Sequence, residues 1–111
     1  MENTRLQKIG RLLQKELGEI FLLQTKAMSG VLISVSEVRV SADLSIAKAY
    51  LSVFPSEKGK KIIDAVTGNT KAIRYDLGQR VRMQLRKIPE LQFFLDESID
   101  YLENIDKLLK N

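Results

Sequence analysis

The 111-residue chain has no cysteine, no histidine and no tryptophan, and only two prolines. Without cysteine there is no disulfide scaffold, no thiol nucleophile and no thiolate metal site, and nothing argues for an oxidising compartment. Without histidine the usual general base and the commonest metal ligand are gone, so an enzyme built on this chain would need lysine, tyrosine or carboxylate chemistry. No pair of carboxylates stands on separate elements in an arrangement suited to acid–base work. Long apolar runs are missing too. Stretches such as Ile20 to Leu23 fall far short of the ~20 residues that span a bilayer, and no charged start followed by an apolar segment marks a secretory leader. Together these absences predict a soluble, cytoplasmic protein with no cofactor, metal, membrane or small-molecule substrate, and leave a small enzyme only lysine, tyrosine or carboxylate chemistry.

What is present is the composition of an ordinary globular domain: 44% hydrophobic and 29% charged residues, in a length that accommodates one domain with a single core. The net charge of +4 hides a strong asymmetry. Residues 1–56 carry 7 basic and 5 acidic groups, residues 57–87 carry 9 and 3, and residues 88–111 carry 2 and 6. A basic excess of that size in the middle segment is the electrostatic footprint expected of a polyanion-binding surface, because each neutralised phosphate releases condensed counterions. The same residues could also serve only to solubilise helical surfaces, and helical phase separates the two readings.

From Thr4 to about Ala27, Leu6, Ile9, Leu13, Leu17, Ile20 and Phe21 fall on one helical face, with Lys8, Arg11 and Lys15 opposite. Thr4 and Gln7 have the spacing of a capping box. Gly10 and Gly18 each cost such a helix about 1 kcal/mol relative to alanine, which predicts a close neighbour or a bend. Met28, Ser29 and Gly30 break the pattern. Val31–Val40 and Leu44–Phe54 then read as strands of an antiparallel hairpin turning at Ser41, Ala42 and Asp43. Ala47, Ala49, Leu51 and Val53 suit the core, and the other side of that strand mixes Lys48 with Tyr50 and Phe54. Pro55 closes the strand, and Ser56 is a candidate cap for a helix over Glu57–Val66.

Gly68, Asn69 and Thr70 interrupt the helical phase before a second helix from Lys71 to about Leu85. Ile73, Leu77, Val81 and Leu85 mark its inner side, while Lys71, Tyr75, Gln79, Arg82 and Arg86 lie opposite. This outward basic stripe, begun by a turn expected to offer free backbone amides, is the predicted phosphate site. Arg74 falls near the apolar edge, which points to a snorkelling or paired structural residue. Beyond Pro89, Leu91–Leu95 reads as a third strand buried on both faces. Ser98 opens a last amphipathic helix whose acidic start, Asp96, Glu97 and Asp100, suits the positive end of a helix better than a metal ion. The resulting architecture is α+β, with helices packed on one face of a three-stranded sheet.

Four stretches carry a resemblance to a known family: Thr4–Gly10 leading into Lys15-Glu16-Leu17; the hairpin Val38–Tyr50; Ile73-Arg74 with Leu77-Gly78 and Arg80-Val81; and Arg86–Leu91 followed by Phe93, Phe94, Asp96 and Ser98. In this order and spacing the chain resembles ribosome-binding factor A, a bacterial small-subunit assembly factor with a type II KH-like fold. KH domains clamp nucleotides with a Gly-x-x-Gly loop, which is absent here. The family has an Ala-x-Gly kink in its place, and the equivalent positions are Asn69, Thr70 and Lys71. The resemblance implies a monomeric, non-catalytic factor that binds 16S rRNA on the immature 30S subunit and supports maturation of the rRNA 5′ end. A KH-like module with another RNA target is the alternative. The RNA-binding residues it suggests are Lys58, Lys60 and Lys61 before the kink, Asn69, Thr70 and Lys71 at it, and Arg80, Arg82, Arg86 and Lys87 after it. Lys8 and Arg11 form a second patch.

Overall fold

The computed structural model describes residues 4–26 and 30–96. The elements are α1 (Thr4–Thr25), β1 (Leu32–Val40), β2 (Ile46–Phe54), α2 (Gly59–Gly68), α3 (Thr70–Val81) and β3 (Glu90–Leu95). The expected helix beginning at Ser98 lies outside the described residues, as do Glu97 and Asp100 of the acidic cluster. β1 pairs antiparallel with β2, and β2 pairs parallel with β3, giving the order β1-β2-β3. A parallel pair needs a crossover, and α2 and α3 supply it on the face of the sheet that α1 also covers. The result is the predicted α+β layering.

The core follows from the two periodicities. Ile9, Leu13, Leu17, Ile20 and Phe21 of α1 meet the inward residues of the sheet, among them Ala47, Ala49 and Leu51 on the central strand, and Ile73, Leu77 and Val81 of α3 close the layer. Phe21 packs edge-on against Phe93 with ring centroids 5.9 Å apart. Small residues set the spacing. A Cβ added to Gly10 would lie 2.9 Å from the Val38 carbonyl oxygen, so α1 rests backbone to backbone on β1, whereas a Cβ at Gly18 would meet nothing within 4 Å. Of the two glycines only Gly10 marks a close neighbour.

The hairpin turn is built around Asp43, whose carboxylate accepts hydrogen bonds from the Ser45 hydroxyl (2.7 Å), the Ser41 hydroxyl (2.8 Å) and the Ser45 amide (3.1 Å). These donors, the Ser45 hydroxyl foremost, hold its pKa down at about 2. Leu44 occupies the left-handed region at φ 61°, a conformation that costs a branched residue strain and that the turn enforces through the Leu44 amide bond to Ser41. The β1–β2 ladder shifts register between Val35 and Glu37. Gln14 of α1 donates its side-chain amide to Val35 (3.2 Å) and Ser36 (3.3 Å) there.

Several expectations need correction. α3 ends at Val81, not Leu85: Gln84 and Leu85 fold back onto the Val81 carbonyl in a closing turn, because the chain must reverse to bring the Glu90 amide to the Ser45 carbonyl at the start of β3. β3 is buried on one face only. Leu91 and Phe93 point into the core while Glu90, Gln92 and Phe94 face away, since no described helix covers that side. Ser56 makes no side-chain cap; the segment opens as a 3-10 turn over Ser56–Lys58, with the Lys58 amide on the Pro55 carbonyl. Thr4 is already the first helical residue of α1, so the cap position falls outside the described residues. The Asn69 amide is not free, because the Val66 carbonyl accepts it at 3.0 Å.

Candidate nucleic-acid interface

On a helix, residues four apart stack on one side, so Lys71, Tyr75 and Gln79 form a column along the outer face of α3. The turn that follows Val81 brings a second wall alongside. Lys71, Arg74, Tyr75, Gly78 and Gln79 on one side and Arg86, Lys87 and Ile88 on the other line an open groove of about 620 Å³. The walls are tied together by Arg74, whose guanidinium donates to the Ile88 carbonyl at 2.6 Å and the Pro89 carbonyl at 3.2 Å. Charge-assisted bonds from one planar fork to two successive carbonyls fix both direction and distance, which a lysine could not do. Arg74 therefore has the structural role its position predicts, and it lines the groove as well.

Lys71, Arg86 and Lys87 are exposed, and among the described residues none of them is ion-paired. Their charges are uncompensated and face one trough, the arrangement that focuses potential on an anionic strand. Arg86 and Lys87 reach this position from the closing turn, not, as the spacing of Arg86 predicts, from the helix stripe. Arg82, at the end of α3, is exposed but does not line the groove.

Arg80 is placed differently from the others. Its guanidinium sits 2.9 Å from Glu19, 3.4 Å from Glu16 and 3.4 Å from Asp76, a brace between α1 and α3. Burial works against its charge, but the hydrogen bond to Glu16 and the charge of Asp76 outweigh that and hold its pKa above the usual value. With three carboxylates met, it has little charge left to offer an outside phosphate.

At the kink, Asn69 sits at φ −107°, ψ 17° between the two helices, and the Thr70 hydroxyl donates to the Thr67 carbonyl at 2.6 Å. Both residues are engaged in the backbone of the turn. Lys58, Lys60 and Lys61 are exposed on the segment leading into α2 and on α2 itself, outside the groove. The second predicted patch is likewise separate. Lys8 and Arg11 are exposed on α1, and Arg11 borders a smaller groove of about 470 Å³ between α1 and β1, with Gln14, Lys15, Leu22 and Leu32.

The open face of the sheet carries its own aromatic and cationic groups, already satisfied by one another. Tyr50 and Phe94 stack at 5.5 Å and 27°, the Arg39 guanidinium lies 5.6 Å from the Tyr50 ring centroid, and Glu37 accepts a hydrogen bond from Arg39 at 3.0 Å. Among the described residues no three metal-ligating side chains come together, and no helix is long and apolar enough to cross a membrane.

Comparison with known proteins gives one answer. The family model described as ribosome-binding factor A matches residues 5–109. The chain is 48% identical to ribosome-binding factor A of Flavobacterium johnsoniae over 98% of its own length and 85% of that protein. It is 44% identical to the same factor of Cytophaga hutchinsonii, over 98% of its own length and 83% of the relative's. Among solved structures, the crystal structure of ribosome-binding factor A from Thermus thermophilus superposes with a TM-score of 0.65 at 25% identity, covering 81% of this chain and 94% of that one. A Thermus thermophilus RbfA homology model, fitted into the cryo-electron microscopy map of a 30S–RbfA complex, superposes with a TM-score of 0.62 at 27% identity. It covers 78% of this chain and 89% of that one.

Proposed function

Because the chain belongs to the ribosome-binding factor A family, we propose that it is a cytoplasmic assembly factor of the small ribosomal subunit. It binds the immature 30S particle as a monomer through 16S rRNA and supports maturation of the rRNA 5′ end. The observation that carries this reading is the groove on α3, where Lys71, Arg86 and Lys87 face one trough and, among the described residues, pair with no carboxylate. A relative placed on the 30S subunit in a 30S–RbfA complex supports the choice of partner. Lys58, Lys60, Lys61 and Arg82 extend the positive field around the groove, and Lys8 with Arg11 supplies a separate contact. Asn69 and Thr70 act by shaping the kink that aims Lys71, and Arg80 by bracing α3 against α1. Binding of this kind needs no catalytic group, and the role is that of a binding factor.

Sedimentation tests the reading directly. In gradients of cell extract, the protein should travel with free small-subunit particles and be absent from translating ribosomes. Equal occupancy of both would refute an assembly role. An RNA other than 16S rRNA that co-purifies stoichiometrically would redirect the same surface to a different target. Replacing Lys71, Arg86 and Lys87 with alanine should lower the slope of log affinity against log salt by about 0.7 to 0.9 per lost phosphate contact, without unfolding the domain.

A further inference from the structure

Among the described residues two tyrosines, Tyr50 and Tyr75, stand on regular elements, and their surroundings differ. Tyr50 is half-buried, with Phe94 stacked on its ring and Arg39 against it. Tyr75 is 71% exposed, stands in the middle of the groove column, and among the described residues has neither a ring nor a cation stacked on it. Lys71 lies one helical turn before it, Arg86 and Lys87 line the opposite wall, and Gly78 and Ile88 pack together at the floor, where a Cβ on Gly78 would touch Ile88 at 3.5 Å.

A bare aromatic face bracketed by uncompensated cations matches one kind of polyanion better than others. An A-form duplex keeps its bases stacked inside and presents phosphates and 2′-hydroxyls, so it could use the lysines and arginine but would leave the ring idle. An unpaired nucleotide offers phosphates to the cations and a π-face to the tyrosine at once. Resting on the RNA reading above, we propose that the groove takes single-stranded RNA, with one unpaired base stacked on Tyr75 and its flanking phosphates held by Lys71 and by Arg86 with Lys87. Tyr75 then selects single strand over duplex, and the cations set the salt dependence without distinguishing the two.

Stacking and charge are separable by measurement. Binding of the full chain to a fluorescent single-stranded oligoadenylate and to a blunt RNA duplex of equal length would be followed by anisotropy over a series of salt concentrations. Tyr75 is exposed, so Tyr75→Ser and Tyr75→Phe leave the core intact, which thermal unfolding verifies. Tyr75→Ser should weaken single-strand binding by roughly 5- to 150-fold, leave duplex binding unchanged and leave the salt slope unchanged. Tyr75→Phe should retain affinity within about twofold, since the ring is kept. The double variant Lys71→Ala with Arg86→Ala should reduce the salt slope on both probes. If Tyr75→Ser binds the single strand as the parent does while the cation variant loses slope, the stacking proposal is overturned and the RNA surface stands. If Tyr75→Ser weakens both probes equally, the selectivity role is likewise overturned. A parent chain that binds neither probe would overturn the RNA reading itself.

Discussion

Alanine at Gly10 and alanine at Gly18 should move stability in opposite directions, although both lie on α1 and both gain the same helix propensity. At either position, removing glycine's backbone freedom favours the helix by about 1 kcal/mol. At Gly18 nothing stands within 4 Å of the new methyl group, so the gain is kept. At Gly10 the methyl carbon would lie 2.9 Å from the Val38 carbonyl oxygen, a backbone atom held in the β1–β2 ladder, so either α1 lifts or the strand bends. Overpacking of this kind costs about 1 to 3 kcal/mol, which cancels or exceeds the propensity gain. Because that gain is common to both variants, the difference between them isolates the clash at about 1 to 3 kcal/mol. Urea unfolding reads it as two midpoints separated by roughly 1 M at a common slope, Gly18→Ala above the parent and Gly10→Ala at or below it. Coincident midpoints, or Gly10→Ala as the more stable of the two, would mean that α1 does not seat on the Val38 carbonyl and that the account of the helix–sheet spacing is wrong.

Other consequences are as direct. Arg74→Ala and Arg74→Lys should both loosen the turn after α3, seen as faster amide hydrogen exchange from Leu85 to Ile88, because neither substitute can fork to two carbonyls; unchanged exchange would show that the turn is held by packing alone. Arg80→Ala combined with Glu16→Gln in a double-mutant cycle should give a coupling of about 1 kcal/mol or less that shrinks with added salt, and a zero coupling at low salt would remove the brace. Asp43 titrates at about 2 in the folded chain against an ordinary 3.8, so the stability it contributes is complete above about pH 4 and is lost as pH falls towards 2. A carboxyl carbon titration by NMR checks the midpoint, and a value near 3.8 would mean that Ser41 and Ser45 do not hold it. Leu77, fully buried, should cost about 2 to 5 kcal/mol on replacement with alanine, with RNA affinity of the folded fraction unchanged.

Much of this molecule is written in local periodicity, and the exceptions share a cause. The face of α1 is legible because Ile9, Leu13, Leu17, Ile20 and Phe21 repeat at helical spacing and all are buried. The alternation of β2 is legible for the same reason. The end of α3 is not, because Leu85 keeps the four-residue rhythm of Ile73, Leu77 and Val81 and still packs on the core from outside the helix. What stops the helix is distant: the pairing of Glu90 with Ser45 and the hold of Arg74 on Ile88 and Pro89. Phe94 reads as a core residue by type, yet it stacks on Tyr50 across two strands on the open face, a partnership fixed by sheet register. The groove is half legible. Lys71, Tyr75 and Gln79 follow from phase, whereas Arg86 and Lys87 join them only because the chain turns back. Gly10 and Gly18 look alike in sequence and are told apart only by what lies opposite.

The fork from Arg74 to the two carbonyls bears on the speed of recognition as well as on shape. If the groove takes RNA as proposed, a trough whose far bank is already moored would ask no loop to settle when a strand arrives, and the ordering entropy that a floppy bank would lose at each encounter would have been met during folding. Capture on that reading would be governed by diffusion and charge, and a guanidinium that commits its bonds to its own chain would shorten the search made by its neighbours.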